Sequence, residues 1–185
     1  VRLVAATGVS NPLPVRVGRL PEMAEKGPNQ TPGQAQRIDL PAALSGRINA
    51  ATETDYFRFK AKKGESVIID VYASRLGSPM DPSLAVIDGS GKELARSEDA
   101  NGLDPLLAFQ APDDGEFILE LRDFRYQGGD SFRYRLLAGV MPYVYSVFPF
   151  GARRGQNVEV EVRGHNFPNP KLTLRIDPNA PVGRQ

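Results

Sequence analysis

The sequence predicts an all-β protein: an antiparallel β-sandwich with short flanking β segments. Three observations carry that expectation. The 18 Gly and 16 Pro fall between short β-rich runs instead of gathering in one low-complexity tract, which is the punctuation of strands and turns. Several runs alternate polar and apolar residues with period 2, the mark of sheets with one wet face. No stretch of useful length carries the 3.6-residue period of an amphipathic helix; a turn within 73–80 is the best helical candidate, and Gly77 and Pro79 limit it.

Taken in chain order, residues 1–17 hold two short expected strands, Val1–Ala6 and Leu13–Val17, too few to form a core alone. Residues 18–35 carry Pro21, Pro28 and Pro32 and no β-run, so they read as a Pro-rich linker laid over the surface. Residues 36–139 read as one complete sandwich. Its strands are expected at Asp55–Ala61, Ser66–Ala73, Ser83–Asp88, Lys92–Arg96, Leu106–Gln110, Glu116–Arg122 and Ser131–Ala138. In the first of these Tyr56, Arg58 and Lys60 point one way while Phe57 and Phe59 point the other. Lys62-Lys63-Gly64-Glu65, Asp88-Gly89-Ser90-Gly91-Lys92 and Pro112-Asp113-Asp114-Gly115 supply the turns between strands. The expected core comprises Phe57, Phe59, Ile68, Val71, Leu84, Val86, Phe117, Leu119, Phe132 and Leu136. Residues 140–185 start a new β-unit, in which Val158, Val160 and Val162 alternate with Glu159 and Glu161.

Composition narrows the function classes. The 23 Lys plus Arg nearly balance the 22 Asp plus Glu, and they are scattered, which leaves no electrostatic footprint for nucleic acid. No apolar run approaches the roughly 18–20 residues of a spanning helix, so membrane insertion is not expected. Zero Cys removes disulfides and thiolate chemistry, and a single His, His165, removes most zinc sites and Ser-His catalysis. The balance is against an enzyme.

Residues Asp55-Tyr56-Phe57-Arg58-Phe59, Lys63-Gly64-Glu65, Asp81-Pro82-Ser83-Leu84, Asp88-Gly89-Ser90-Gly91, Ala111 to Phe117 and Tyr134-Arg135-Leu136 form an ordered set. In order and spacing it resembles the bacterial pre-peptidase C-terminal (PPC) domain, which implies a secreted β-sandwich of jelly-roll type. The flanks resemble immunoglobulin-like IPT/TIG modules: 1–17 the end of one, and 140–185, through Gly164-His165-Asn166-Phe167, the start of another. The resemblance implies a non-catalytic accessory module of a larger secreted, cell-surface or periplasmic protein. Its partner would be an extracellular polysaccharide or protein, or a neighbouring domain of the same parent chain. The alternatives are a carboxylate-based, glycosidase-like hydrolase, since two acids can meet from anywhere in a chain, and a structural spacer without ligand.

PPC domains that bind calcium take ligands from an acidic linker and from acids at the start of the first core strand. By that resemblance the candidate metal ligands are Glu25, Asn29, Glu53 and Asp55. Gly27 and Gln30 stand where the family's linker carries acids, and Ca²⁺ wants six to eight oxygens, so the implied cofactor is none or weak calcium. The Glu98–Asp104 cluster reads as ordinary turn chemistry. A second candidate group is Asp123, Arg125 and Tyr126, on or near a hairpin loop, where a tyrosine beside charged groups suits a sugar ring or a peptide.

Overall fold

The computed structural model describes residues 1–13, 15–180 and 183. Strands β1 (Val4–Ala5) and β2 (Gly8–Val9) make a short hairpin. Then come β3 (Glu22–Ala24), a 3-10 turn at Pro32–Gln34, β4 (Gln36–Arg37), β5 (Ala42–Arg47), β6 (Thr54–Ala61) and β7 (Ser66–Tyr72). A second 3-10 turn at Ser74–Leu76 precedes β8 (Pro82–Ile87), β9 (Glu93–Ser97), β10 (Leu106–Gln110), β11 (Gly115–Asp123) and β12 (Arg133–Gly139). The chain closes with β13 (Tyr143–Phe148), β14 (Asn157–His165) and β15 (Lys171–Arg175). Among the described residues there is no α-helix, as the missing 3.6-residue period requires.

The sandwich consists of two five-stranded sheets, ordered β10-β7-β12-β5-β3 and β4-β6-β11-β8-β9. Strand β6 shows the sequence rule in action: Asp55, Phe57, Phe59 and Ala61 are buried while Tyr56, Arg58 and Lys60 face outward. Phe59, Phe109 and Phe117 meet with ring centroids 5.0–6.2 Å apart in tilted and edge-on contacts, and Leu84, Leu119 and Leu136 pack into the same core.

Four features depart from the sequence reading. The stretch read as a linker carries β3, which pairs in parallel with β5; after the 3-10 turn, β4 pairs in parallel with β6. Segment 22–37 therefore crosses from one sheet edge to the other, and the sandwich is not purely antiparallel. Strand β5, rich in Ala, Ser and Gly, gave no β-propensity signal and is held by its neighbours. Leu13–Val17 is not a strand in its described residues; Pro14 lies outside them, as do positions 181, 182, 184 and 185 of the C-terminal unit. Finally, the core face of β7 is Val67, Ile69 and Val71, so Ile68, though fully buried, faces the other way, and Phe132 is only half-buried.

The last three strands form a separate sheet, β13-β14-β15, with Val160 and Val162 buried on one face. Asn166, at φ 59°, ties it to the sandwich by donating from Nδ2 to the carbonyls of Ser66 (2.8 Å) and Met141 (3.0 Å).

Emptying the Phe59 site should cost about 3–5 kcal/mol, the usual penalty for a buried aromatic. Tyr126, 53% exposed in a loop, should cost far less as Tyr126→Ala. Thermal melts of Phe59→Ala and Tyr126→Ala check the ranking, and the reverse order would overturn the face assignment.

Candidate metal centre

At the far end of β5, three carboxylates converge on the seam between the sheets. One ligand oxygen each from Glu25, Glu53 and Asp55 lie within 4.8 Å of one another. Each side chain arrives by a different local device. Asp55 shares the inward parity of Phe57 and Phe59, so regular β geometry drives a carboxyl group into the end of the core, fully buried. Glu25 follows β3 directly; its N–H donates to the Ser45 carbonyl (2.9 Å), and its Oε2 accepts from the Arg47 N–H (2.8 Å). Glu53 closes the turn after β5, accepting at Oε2 from the N–H groups of Asn49 (2.8 Å) and Ala50 (2.9 Å) and at Oε1 from Asn49 Nδ2 (3.0 Å).

Two groups from the sequence reading complete the surroundings. Asn29 is fully buried; its carbonyl accepts from the Tyr56 N–H (2.8 Å), which docks the crossing segment beside Asp55. Gln30 donates from Nε2 to Asn29 Oδ1 (2.9 Å) and Glu53 Oε1 (3.4 Å). An amide donor thus stands where an acid would add a fourth negative charge.

Tyr134 and Gly46 were not anticipated as part of this site. Tyr134 lies on β12, in the opposite sheet from Asp55, and its hydroxyl donates to Asp55 Oδ2 at 2.6 Å across the sandwich. The sequence held one clue: Tyr134 alternates in phase with Leu136, so its hydroxyl had to find a partner inside. Gly46 makes the approach possible. A Cβ there would collide with the Tyr134 hydroxyl and come within 2.7 Å of Glu25 Oε2.

Burial is the main force on Asp55, raising its carboxyl from 3.8 to about 8, with the Glu25 and Glu53 carboxylates adding to the rise and the Tyr134 hydroxyl opposing it. Burial, then the charge of Asp55, pushes the Tyr134 phenol well above its ordinary value. Asp55 Oδ1 and Asn29 Nδ2 are buried without a hydrogen-bond partner among the described residues. An orphaned carboxylate oxygen beside two further carboxylates is the donor set a hard cation takes, and it fits calcium. Glu53 already spends both oxygens on hydrogen bonds, so the protein contributes only part of a six- to eight-oxygen shell.

The second candidate group divides. Tyr126, at φ 57°, is exposed, with the Arg122 guanidinium 4.3 Å from its ring centroid. Arg125 reaches Asp81 at 3.4 Å. Asp123, only 1% exposed, accepts from the N–H groups of Asp81, Arg125 and Gln127, so its carboxylate is committed to holding the loop and is not offered to a ligand. The loop also buttresses the metal centre: the Tyr126 carbonyl accepts from the Thr52 N–H (3.0 Å), next to Glu53. In the Glu98–Asp104 cluster, buried Asp104 accepts from the N–H groups of Ala73, Ser74 and Arg75 and from Arg75 Nε, which is turn capping. His165 ends β14, its ring 5.8 Å from that of Tyr145.

Gly46→Ala should destabilise the protein by about 1–3 kcal/mol, the cost of forcing extra volume into a packed site. A melt unchanged by the substitution would mean that Tyr134 and Glu25 do not need the missing Cβ. The Asp55 shift gives a second outcome. Unfolded, Asp55 ionises near 3.8, and folded near 8, so between those values the folded state holds the extra proton and stability falls as pH rises. Asp55→Asn cannot ionise. In chelator, its melting temperature relative to wild type should climb from about pH 5 to about pH 8; a difference flat across that window would refute the shift.

Similarity to known proteins follows the same central region. The chain is 35% identical over 97 residues to a probable subtilase-type serine protease of Deinococcus radiodurans, covering 51% of this chain and 13% of that protein's length. A solved pre-peptidase C-terminal domain of collagenase from Bacillus anthracis aligns at 20% identity and TM-score 0.47, over 62% of this chain and 99% of that one. The Aeromonas hydrophila periplasmic inhibitor of g-type lysozyme aligns at 14% identity and TM-score 0.39, over 58% and 97%. Residues 53–123 match the family model of the bacterial pre-peptidase C-terminal domain.

Proposed function

We propose that the protein is a non-catalytic accessory module of a larger secreted, cell-surface or periplasmic protein, and that Glu25, Glu53 and Asp55 hold a calcium ion weakly. The accessory reading is supported by the likeness to the subtilase-type protease, which involves only 13% of that protein, the pattern of a small attachment to a larger enzyme. The module would bind an extracellular polysaccharide or protein, or a neighbouring domain of its parent chain. In this reading residues 1–17 and 140–185 belong to immunoglobulin-like neighbours, with 18–35 linking and completing the PPC-like unit at 36–139. The half-exposed Leu172 and Leu174 on β15, in register with Val160 and Val158, support a further β-layer over that edge.

The observation that carries the cation is the unpartnered, fully buried Asp55 Oδ1 facing two more carboxylates. Such a group is costly unless it is protonated or paired. The same geometry disfavours the hydrolase alternative. Glycosidases set their two carboxyl groups about 5–9.5 Å apart around an open substrate cleft, whereas these oxygens lie within 4.8 Å of one another and Asp55 is closed to solvent. Bound calcium would supply neutralising charge at the seam. The protein's own part is to hold Glu25 and Glu53 by backbone N–H groups and Asp55 by Tyr134.

With few protein oxygens, the dissociation constant should fall in the weak extracellular range, about 10⁻⁴–10⁻³ M. Calcium at 100 dissociation constants adds about 2.7 kcal/mol of stability. Melting temperature should therefore rise in calcium over chelator for wild type and not for Asp55→Asn. Four identical melts would remove the cation from this reading. Release of soluble fragments from casein or from a β-glucan by the purified chain would overturn the accessory role itself.

A further inference from the structure

Opposite the core, the outer face of β5 and β12 floors a cleft of about 1050 Å³, which Leu13, Val15 and Arg16 of the N-terminal segment also line. Its floor breaks a rule of sheet construction. Arg133 on β12 stands directly across from Arg47 on β5, and Arg135 follows two residues on along the same face. Like charges facing each other across a strand pair destabilise a sheet. Two of these arginines have internal partners: Arg47 pairs with Asp130 (2.8 Å), and Arg135 with Glu22. Arg133 and Arg16 have no carboxylate within 4.0 Å among the described residues, and Arg133 Nε donates to the Asp130 carbonyl, which fixes its direction. Glu25 and Asp130 also line the cleft, but among the described residues no carboxylate pairs with these two guanidinium groups.

We infer that this cleft binds an extended acidic peptide segment, through carboxylates on Arg16 and Arg133 and apolar side chains on Leu13 and Leu76. The inference rests on the reading of the protein as a binding module and names the ligand class of that module. Guanidinium forks match carboxylates in a bidentate fashion, which a single fixed charge such as Lys does not. Leu13, 63% exposed, and Leu76 both line the cleft. Charge spaced along a cleft with apolar walls matches a chain whose side chains alternate in chemistry. Sugar rings, by contrast, are gripped on aromatic faces, and the ring beside the cleft is already covered. The guanidinium carbons of Arg16 and Arg75 lie 4.0 and 3.7 Å from the Tyr72 centroid, close enough that each must occupy its own face. Tyr134, which also borders the cleft, is buried with its hydroxyl on Asp55.

The test is fluorescence anisotropy of a labelled octapeptide of alternating Glu and Leu, titrated with the whole chain in chelator so that no cation held by Glu25, which also lines the cleft, bridges to the peptide. Saturable binding is expected. Arg16→Gln and Arg133→Gln should each weaken it about two- to fivefold, while Arg133→Gln leaves the melting temperature equal or higher because it removes the facing like charge. Raising ionic strength from about 0.1 to about 1 M, which shortens the screening length from about 10 to about 3 Å, should weaken it further. No anisotropy change up to about 1 mM protein, or binding indifferent to both substitutions, would overturn the proposal. So would tighter binding of polygalacturonate than of the peptide. Retention on casein or cellulose that the arginine variants leave unchanged would also overturn this cleft as the site, while leaving the module reading standing.

Discussion

One carboxyl group at the end of the sandwich sets the terms for everything around it. Asp55 is carried inward by the same alternation that buries Phe57 and Phe59, and the strand cannot bury those rings without burying the acid. A lone carboxylate in that position would be prohibitively costly. The molecule meets the cost with a hydroxyl from the opposite sheet and with a proton retained to about pH 8, while the Glu25 and Glu53 carboxylates alongside add to it. Tyr134 must stand on β12, Gly46 must lack a side chain to admit it, and the crossing segment must bring Glu25 alongside.

That crossing segment explains why the sandwich closes as it does. Strands β3 and β4 are short, three and two residues, and neither would persist alone. Their pairing with β5 and β6 covers the edge of each sheet that faces the seam, where exposed N–H and C=O groups would otherwise recruit other chains. Between them Asn29 anchors on the Tyr56 N–H. One stretch of chain therefore supplies both Glu25 of the carboxylate cluster and the edge protection, and loosening either loosens the other.

Much of this was legible in the sequence, for identifiable reasons. Strands with strong alternation, such as those holding Phe57 and Phe59 or Phe117 and Leu119, declared themselves because burial on one face imposes period 2. Glu25, Glu53 and Asp55 were named through the family resemblance, and the fold draws them into one cluster. What stayed hidden depended on tertiary context. Segment 22–37 gives no strand pattern, since two- and three-residue strands carry no period. Ala42–Arg47 has small residues because its neighbours need room, which erases β-propensity. Ile68 was assigned to the core for being apolar, yet Val67, Ile69 and Val71 hold that face. The Arg47–Arg133 opposition was invisible because it exists only in the register of two strands 86 residues apart.

The pairing of β3, β5 and β12 also has a mechanical meaning. The chain enters β3 at Glu22 and leaves β12 near Ala138, and both positions flank Ala42–Ala43 at one end of β5. The carboxylate cluster lies at the other end of that strand, beyond Ser45 and Arg47. Tension passed along the backbone would pull on the entry and exit points together. It would begin to unzip β3 and β12 beside Ala43, one hydrogen bond at a time. The bonds around Asp55 would be the last of these to feel the load, so the carboxylate end of the sandwich stays rigid while the end at Ala43 yields.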